Sequence, residues 1–172
     1  MVDSGTKIKD VKNIKTNLCI FAFSLVELLC LVAIIGTLLA LLIPSYSNLL
    51  DKSKNNHAIS DIANISRNLD RHLTDFGSLP ENLQKLVEKF GPIRLVDPWG
   101  NPYQYLVIIG KKKNEVEGKW RKDRFLVPLN SDYDLYSMGK DEKSRPPLTA
   151  KHSWDDIIRA NDGHFIGLAH KY

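Results

Sequence analysis

Glu27 lies inside an otherwise apolar run over residues 18–43, directly after Ala22-Phe23-Ser24-Leu25-Val26. A carboxylate within hydrocarbon costs about 2.5–3.5 kcal/mol on insertion scales, so this side chain demands a partner. The nearest lysines are Lys15 and Lys52, both several helical turns away. A cut between Ala22 and Phe23 supplies a closer cation, because it creates a new ammonium at Phe23, four residues from Glu27. Donated by a neighbouring copy of the chain, that amine would make Glu27 a register mark for assembly. The chemistry at this end is processing and ion pairing rather than turnover.

A second set of such side chains, Asp141, Asp155 and Asp156, flanks a loop of Pro, Ser and Lys residues. Calcium takes about six to eight oxygens, mixing carboxylates with backbone carbonyls in a flexible loop. Three aspartates with nearby carbonyls offer that chemistry, although their spacing is not that of an EF-hand. Lys140, Lys143, Arg145 and Lys151 oppose a dication, and the alternative is a solvated loop in which Asp155-Asp156 caps a final turn. No Cys/His cluster suggests zinc. No Gly-x-Ser-x-Gly, phosphate loop, Rossmann glycine run or His-Glu-x-x-His occurs, so the sequence reads as that of a protein without catalysis. His57 and His72 are lone helical histidines, read as surface or edge positions.

These residues need an anchor and a folded domain to hold them. Residues 28–43 carry no charge, and residues 23–43 number twenty-one, close to the ~20 needed to span a bilayer. Lys7, Lys9, Lys12 and Lys15 precede the run against only Asp3 and Asp10, which keeps the N-terminus cytoplasmic and exports the rest. A secretory signal peptide cut at Ser45-Tyr46-Ser47 is the alternative. Against it, Glu27 breaks the apolar region, and the run exceeds the ~7–15 residues usual there.

Cutting the 172-residue chain at Ala22 leaves 150 residues, room for one anchor helix and one modest domain. The formal net charge of +4 falls to +2 without the four lysines and two aspartates of the first 22 residues. That charge is too mild and too scattered for nucleic-acid binding. Cys19 and Cys30 both fall in the leader or the apolar segment, so the exported domain has no disulfide and its core must hold by packing.

From Ser45 onward Ala58, Ile62, Ile65, Leu69, His72 or Leu73, and Phe76 recur at steps of three and four, one apolar stripe of a helix. With the anchor this makes a single helix of roughly 50 residues, ~75 Å long, bent at Pro44 near the membrane surface. Gly77 closes it as a left-handed cap, and Ser78-Leu79-Pro80-Glu81 reads as a capping box opening a short helix that ends at Gly91-Pro92. Strands are expected over residues 103–109, 125–129, 134–138 and 164–169, separated by turn material. Asp97-Pro98-Trp99-Gly100-Asn101-Pro102-Tyr103 is a rigid turn, read as a corner packed against the long helix. The expected fold class is α+β, a long N-terminal helix, membrane-spanning in its first half, packed on a small antiparallel sheet.

The junction Ala22-Phe23-Ser24-Leu25-Val26-Glu27 resembles the prepilin leader motif of type IV pilins and type II secretion pseudopilins. That motif is a small residue, usually Gly, then Phe, Thr or Ser, two apolar residues and Glu. Pro44 falls where such proteins commonly carry a helix-kinking proline. Asp97–Tyr103 resembles the Asp-Pro-Trp-Gly-x-Pro-Tyr signature of the major, G-type pseudopilins of type II secretion. Gly77-x-x-Pro80 and Asp134-Leu135-Tyr136-Ser137-Met138-Gly139-Lys140-Asp141 look like the same family, so the similarity touches most of the chain beyond Ala22.

The resemblance implies a basic leader (1–22), cut after Ala22 by an inner-membrane prepilin peptidase with N-methylation of Phe23. It implies a transmembrane helix (23–44) and an exported, pilin-like domain (45–172) with helices over 45–76 and 79–90 and a sheet and acidic loop over 95–172. The implied function is a structural subunit that polymerises into a periplasmic pseudopilus driving protein export, with Glu27 and Pro44 serving assembly. Its implied partners are further copies of itself, other pseudopilins, the inner-membrane secretion platform and membrane lipid. A type IV pilus or minor pilin subunit is the alternative within the superfamily, although major type IV pilins often carry a C-terminal disulfide loop that this chain cannot form. A membrane-anchored exported domain of unrelated function is the alternative outside it. The resemblance further implies calcium in the C-terminal loop, held by the Met138 carbonyl, Asp141, the Lys143 carbonyl, Asp155 and Asp156. Glu142-Lys143 here replace the glycines usual after the aspartate, and the loop holds Pro146-Pro147.

Overall fold

The computed structural model describes residues 24–172. Ala22 and Phe23 lie outside the described residues, as does the Pro44 side chain. The chain divides into two units, residues 1–43 and 44–172, and helix α1 (Leu25–Phe76) contributes to both. In the first unit every described side chain is exposed, and α1 is long and apolar enough to cross a membrane. The Thr37 hydroxyl donates to the Ile34 carbonyl at 2.8 Å, so it needs no partner from outside the helix.

In the second unit the expected stripe is the spine of the core. Ala58, Ile62, Ile65 and Leu69 are fully buried and pack with Leu83, Leu86, Tyr103, Tyr133, Leu135 and Ile157. The stripe ends sooner than its period suggests. Phe76 is 51% exposed, and His72 stands at the edge with Nδ1 2.7 Å from the Ser78 carbonyl. Gly77 adopts φ +69° and donates its N–H to the Leu73 carbonyl at 2.8 Å, closing the helix as expected.

Helix α2 (Gln84–Phe90) begins five residues later than the sequence suggests. Ser78 and Glu81 do not cap it. The Pro80 carbonyl instead accepts from the Tyr105 hydroxyl at 3.0 Å, and Leu79 packs on the core, so tertiary partners hold this stretch out of the helix. Asn82 Oδ1 accepts from Lys85 N at 3.2 Å within the first turn.

The sheet has four antiparallel strands in chain order: β1 (Gln104–Val107), β2 (Tyr133–Ser137), β3 (Ile157–Ala160) and β4 (Phe165–Leu168). Its register sets Tyr105 opposite Leu135, Tyr136 opposite Ile158, and Ile158 opposite Gly167. β3 was not expected, because its four residues are all buried and show no alternation. Residues 125–129 are a correction in the other direction, since they form no strand. They make an exposed tip, with Phe125 90% exposed and a turn closed by Asp123 N donating to the Leu126 carbonyl at 2.9 Å. Only Leu129 turns inward, onto Leu148, Ile158 and Ala160. A short helix α3 (Lys113–Val116) replaces expected turn residues and buries Val116 against Ile108 and Trp120. The architecture is α+β and pilin-like, a long N-terminal helix packed on a small antiparallel sheet.

Candidate functional site

Glu27 occupies the first turn of α1, where the positive end of the helix dipole favours a carboxylate. The turn is opened by Leu28 N donating to the Ser24 carbonyl at 3.1 Å. Glu27 is exposed and has no ion-pair partner among the described residues.

The Asp97–Tyr103 stretch is a packed corner that ties helix to sheet. Asp97 is buried, and its Oδ1 accepts from Trp99 N at 3.0 Å and Asn101 N at 2.8 Å. Its Oδ2 accepts from the Ser137 hydroxyl of β2 at 2.5 Å. At the far end the Tyr103 hydroxyl donates to Asp61 Oδ2 of α1 at 3.1 Å. Burial, and then the charge of Asp61, holds the Tyr103 hydroxyl well above its ordinary pKa, so it remains a donor.

The acidic loop divides into a surface part and an interior part. On the surface Asp141 Oδ1 accepts from Lys143 N at 2.8 Å, its Oδ2 lies 3.1 Å from His152 Nδ1, and Asp141 N donates to Asp155 Oδ2 at 2.9 Å. Gly139, at φ +68°, brings its backbone so close that a Cβ there would stand 2.3 Å from the Asp155 carbonyl oxygen; only glycine allows this approach. Lys140 is drawn away to Asp51 of α1 at 2.7 Å.

Asp156 is elsewhere. It is fully buried, and its Oδ2 accepts from Arg121 Nη2 at 2.6 Å and from the Ser144 hydroxyl at 2.6 Å. Arg121 Nε and Asp156 Oδ1 have no hydrogen-bond partner among the described residues, so the pair is single-pronged. Of the expected calcium ligands, the Asp156 carboxylate is thus engaged by Arg121 and Ser144, while Asp141 and Asp155 meet each other. Asp141 and Lys143 are exposed and Met138 and Asp155 half-buried, while Asp156 faces a guanidinium. Among the described residues no group of three or more His, Cys, Asp or Glu side chains is placed to hold a metal ion.

Arg121 is the residue that sequence reasoning missed. It sits in Lys119-Trp120-Arg121-Lys122-Asp123-Arg124, and nothing in that basic run sets it apart. Asp132 and Arg159 were missed likewise; they form a forked pair at 2.8 and 2.7 Å, with the guanidinium 4.0 Å over the Tyr133 ring.

Asp134 of β2 anchors a further buried network, accepting from Arg121 N at 2.5 Å and Asn130 Nδ2 at 2.8 Å. Burial pushes its carboxyl up to about 6 despite those donors. Burial likewise raises Asp156 against the pull of Arg121. A carboxyl whose folded pKa is raised contributes stability that is complete below its unfolded pKa and lost as pH rises through the folded one. The domain should therefore lose stability between about pH 4 and pH 7 through Asp134, on the order of 1–3 kcal/mol. Urea unfolding at pH 5 and pH 7.5 checks this: Asp134→Asn should flatten the difference, and an unchanged pH dependence would refute the assignment.

Curated relatives bear on the whole arrangement. The chain is 33% identical over 138 residues to the type II secretion system core protein G of Pseudomonas aeruginosa, covering 70% of this chain and 84% of that protein. It is 32% identical over 101 residues to the protein of the same name from Aeromonas hydrophila, covering 49% of this chain and 71% of the relative. The Escherichia coli K12 protein of that name is 32% identical over 98 residues, covering 47% and 68%. No family model matches the chain, and no solved structure matches it.

Proposed function

The chain belongs to the family of the type II secretion system core protein G, and on that premise we propose that it is a major pseudopilin, a structural subunit that polymerises into a periplasmic pseudopilus driving protein export. The observation that carries this reading is a single 52-residue helix with Glu27 in its first turn. The part of that helix before Pro44 exposes apolar side chains suited to lipid or to neighbouring helices, and the part after it builds the core of a folded domain.

The anchor lies in the inner membrane with its N-terminus cytoplasmic and residues 45–172 periplasmic, as the four lysines before the apolar run favour. A prepilin peptidase cuts after Ala22, and the methylated Phe23 amine pairs with Glu27 of the next copy. Other pseudopilins and the inner-membrane secretion platform complete the assembly. The subunit carries out no turnover. His72, His164 and His170 each set Nδ1 against a backbone carbonyl and His152 against Asp141, and among the described residues none of these four rings hydrogen-bonds a hydroxyl or thiol.

Intact-mass measurement and N-terminal sequencing of membrane-extracted protein test the processing step. The expected chain starts at Phe23 with a methylated amine. A start at Asn48 would mean that signal peptidase had acted, and the pseudopilin reading would fall.

A further inference from the structure

The chemistry that ties down the C-terminal loop is built into the chain. The Arg121 side chain is 2% exposed and reaches three segments at once. Its Nη1 donates to the Ser144 hydroxyl and to the Arg145 carbonyl, the latter at 2.7 Å. Its Nη2 donates to Asp156 Oδ2 at 2.6 Å, and its guanidinium lies 4.4 Å over the Tyr136 ring of β2. Hydroxyl, backbone carbonyl and carboxylate oxygens are the donor set that a hard cation such as calcium would take from a loop.

The surroundings close on that guanidinium. The Ser144 hydroxyl also donates to Asp156 Oδ2, and the Ser153 hydroxyl exchanges two hydrogen bonds with the Arg145 backbone, at 3.0 and 2.8 Å. Beside them Lys122 N donates to the Pro146 carbonyl at 3.0 Å, and Leu148 N to the Lys122 carbonyl at 2.9 Å. A divalent ion at Asp156 would sit against Arg121. One at Asp141 and Asp155 would have to displace the Lys143 and Asp141 N–H groups and His152.

We propose that Arg121 is the resident cation of the C-terminal loop, its guanidinium holding Ser144, Arg145 and Asp156 together so that the loop closes without calcium. The proposal concerns the fold of the domain and stands or falls apart from filament assembly. The full chain in detergent, stripped with chelator, is titrated with calcium by calorimetry, and its thermal midpoint is read in chelator and in millimolar calcium. No binding heat and the same midpoint in both solutions are expected. Arg121→Met should lower the midpoint equally in both, by about 6–20 °C, as breaking one partner of a buried ion pair does in a chain of this size. Arg121→Lys should recover only part of that loss, since a point charge cannot reproduce the planar fork. Stoichiometric calcium binding by the unmodified chain with a raised midpoint would overturn the proposal, and so would an Arg121→Met midpoint equal to that of the unmodified chain. If Arg121→Met does not fold, the calcium titration of the unmodified chain decides alone.

Discussion

Glu27→Ala should leave the chain inserted in the membrane and cut after Ala22, yet unable to build filaments. The variant removes a carboxylate that costs about 2.5–3.5 kcal/mol in hydrocarbon, so insertion becomes easier. The same variant removes the partner that the Phe23 amine of an adjoining copy would find. An isolated subunit therefore gains and an assembled one loses, which separates insertion from assembly. If the pair contributes as little as ~1.4 kcal/mol, each subunit addition weakens by about ten-fold, and the deficit recurs at every copy along the filament. Electron microscopy and sedimentation of sheared material measure the yield. Normal filaments from Glu27→Ala would remove the reason for placing a charge in that segment.

Leu69→Ala is expected to destabilise the exported domain by about 2–5 kcal/mol, the range for a fully buried leucine whose neighbours cannot collapse into the space. Leu69 is fully buried on the face of α1 that meets Tyr133, Leu135 and Ile157. Phe76, seven residues beyond Leu69 and half-exposed, serves as the control, and its alanine variant should cost well under half as much. Urea unfolding with an unchanged m-value reads both. Equal losses at the two positions would mean that the helix does not meet the sheet along the stripe described.

What could be read ahead of the structure was what one element's own period or backbone requires. The four-residue and three-residue steps from Ala58 to Leu69 are a property of helix geometry, and they found the buried face. Gly77 and the Asp97 turn were legible because their backbone conformations select particular residues. β3 was not legible, because a strand buried on both faces loses the alternation that marks a strand. The tip at Phe125 was misread for the opposite reason: β-prone residues form no strand where no neighbour pairs with them. The late start of α2 depends on the Tyr105 hydroxyl reaching Pro80, across 25 positions of sequence. The Arg121–Asp156 pair spans 35 positions, and a basic run gives no sign of which of its members turns inward. Long-range partners of polar side chains are the information that a pattern of residue types does not carry.

The most direct measurement is an electron cryomicroscopy reconstruction of the material formed when the full chain is produced with a prepilin peptidase. The account predicts helical filaments of copies that begin at Phe23, each Phe23 amine within about 4 Å of the Glu27 carboxylate of a neighbouring copy. Chains that stay single in the membrane with residues 1–22 attached, or filaments in which Glu27 lies far from every amine, would contradict it.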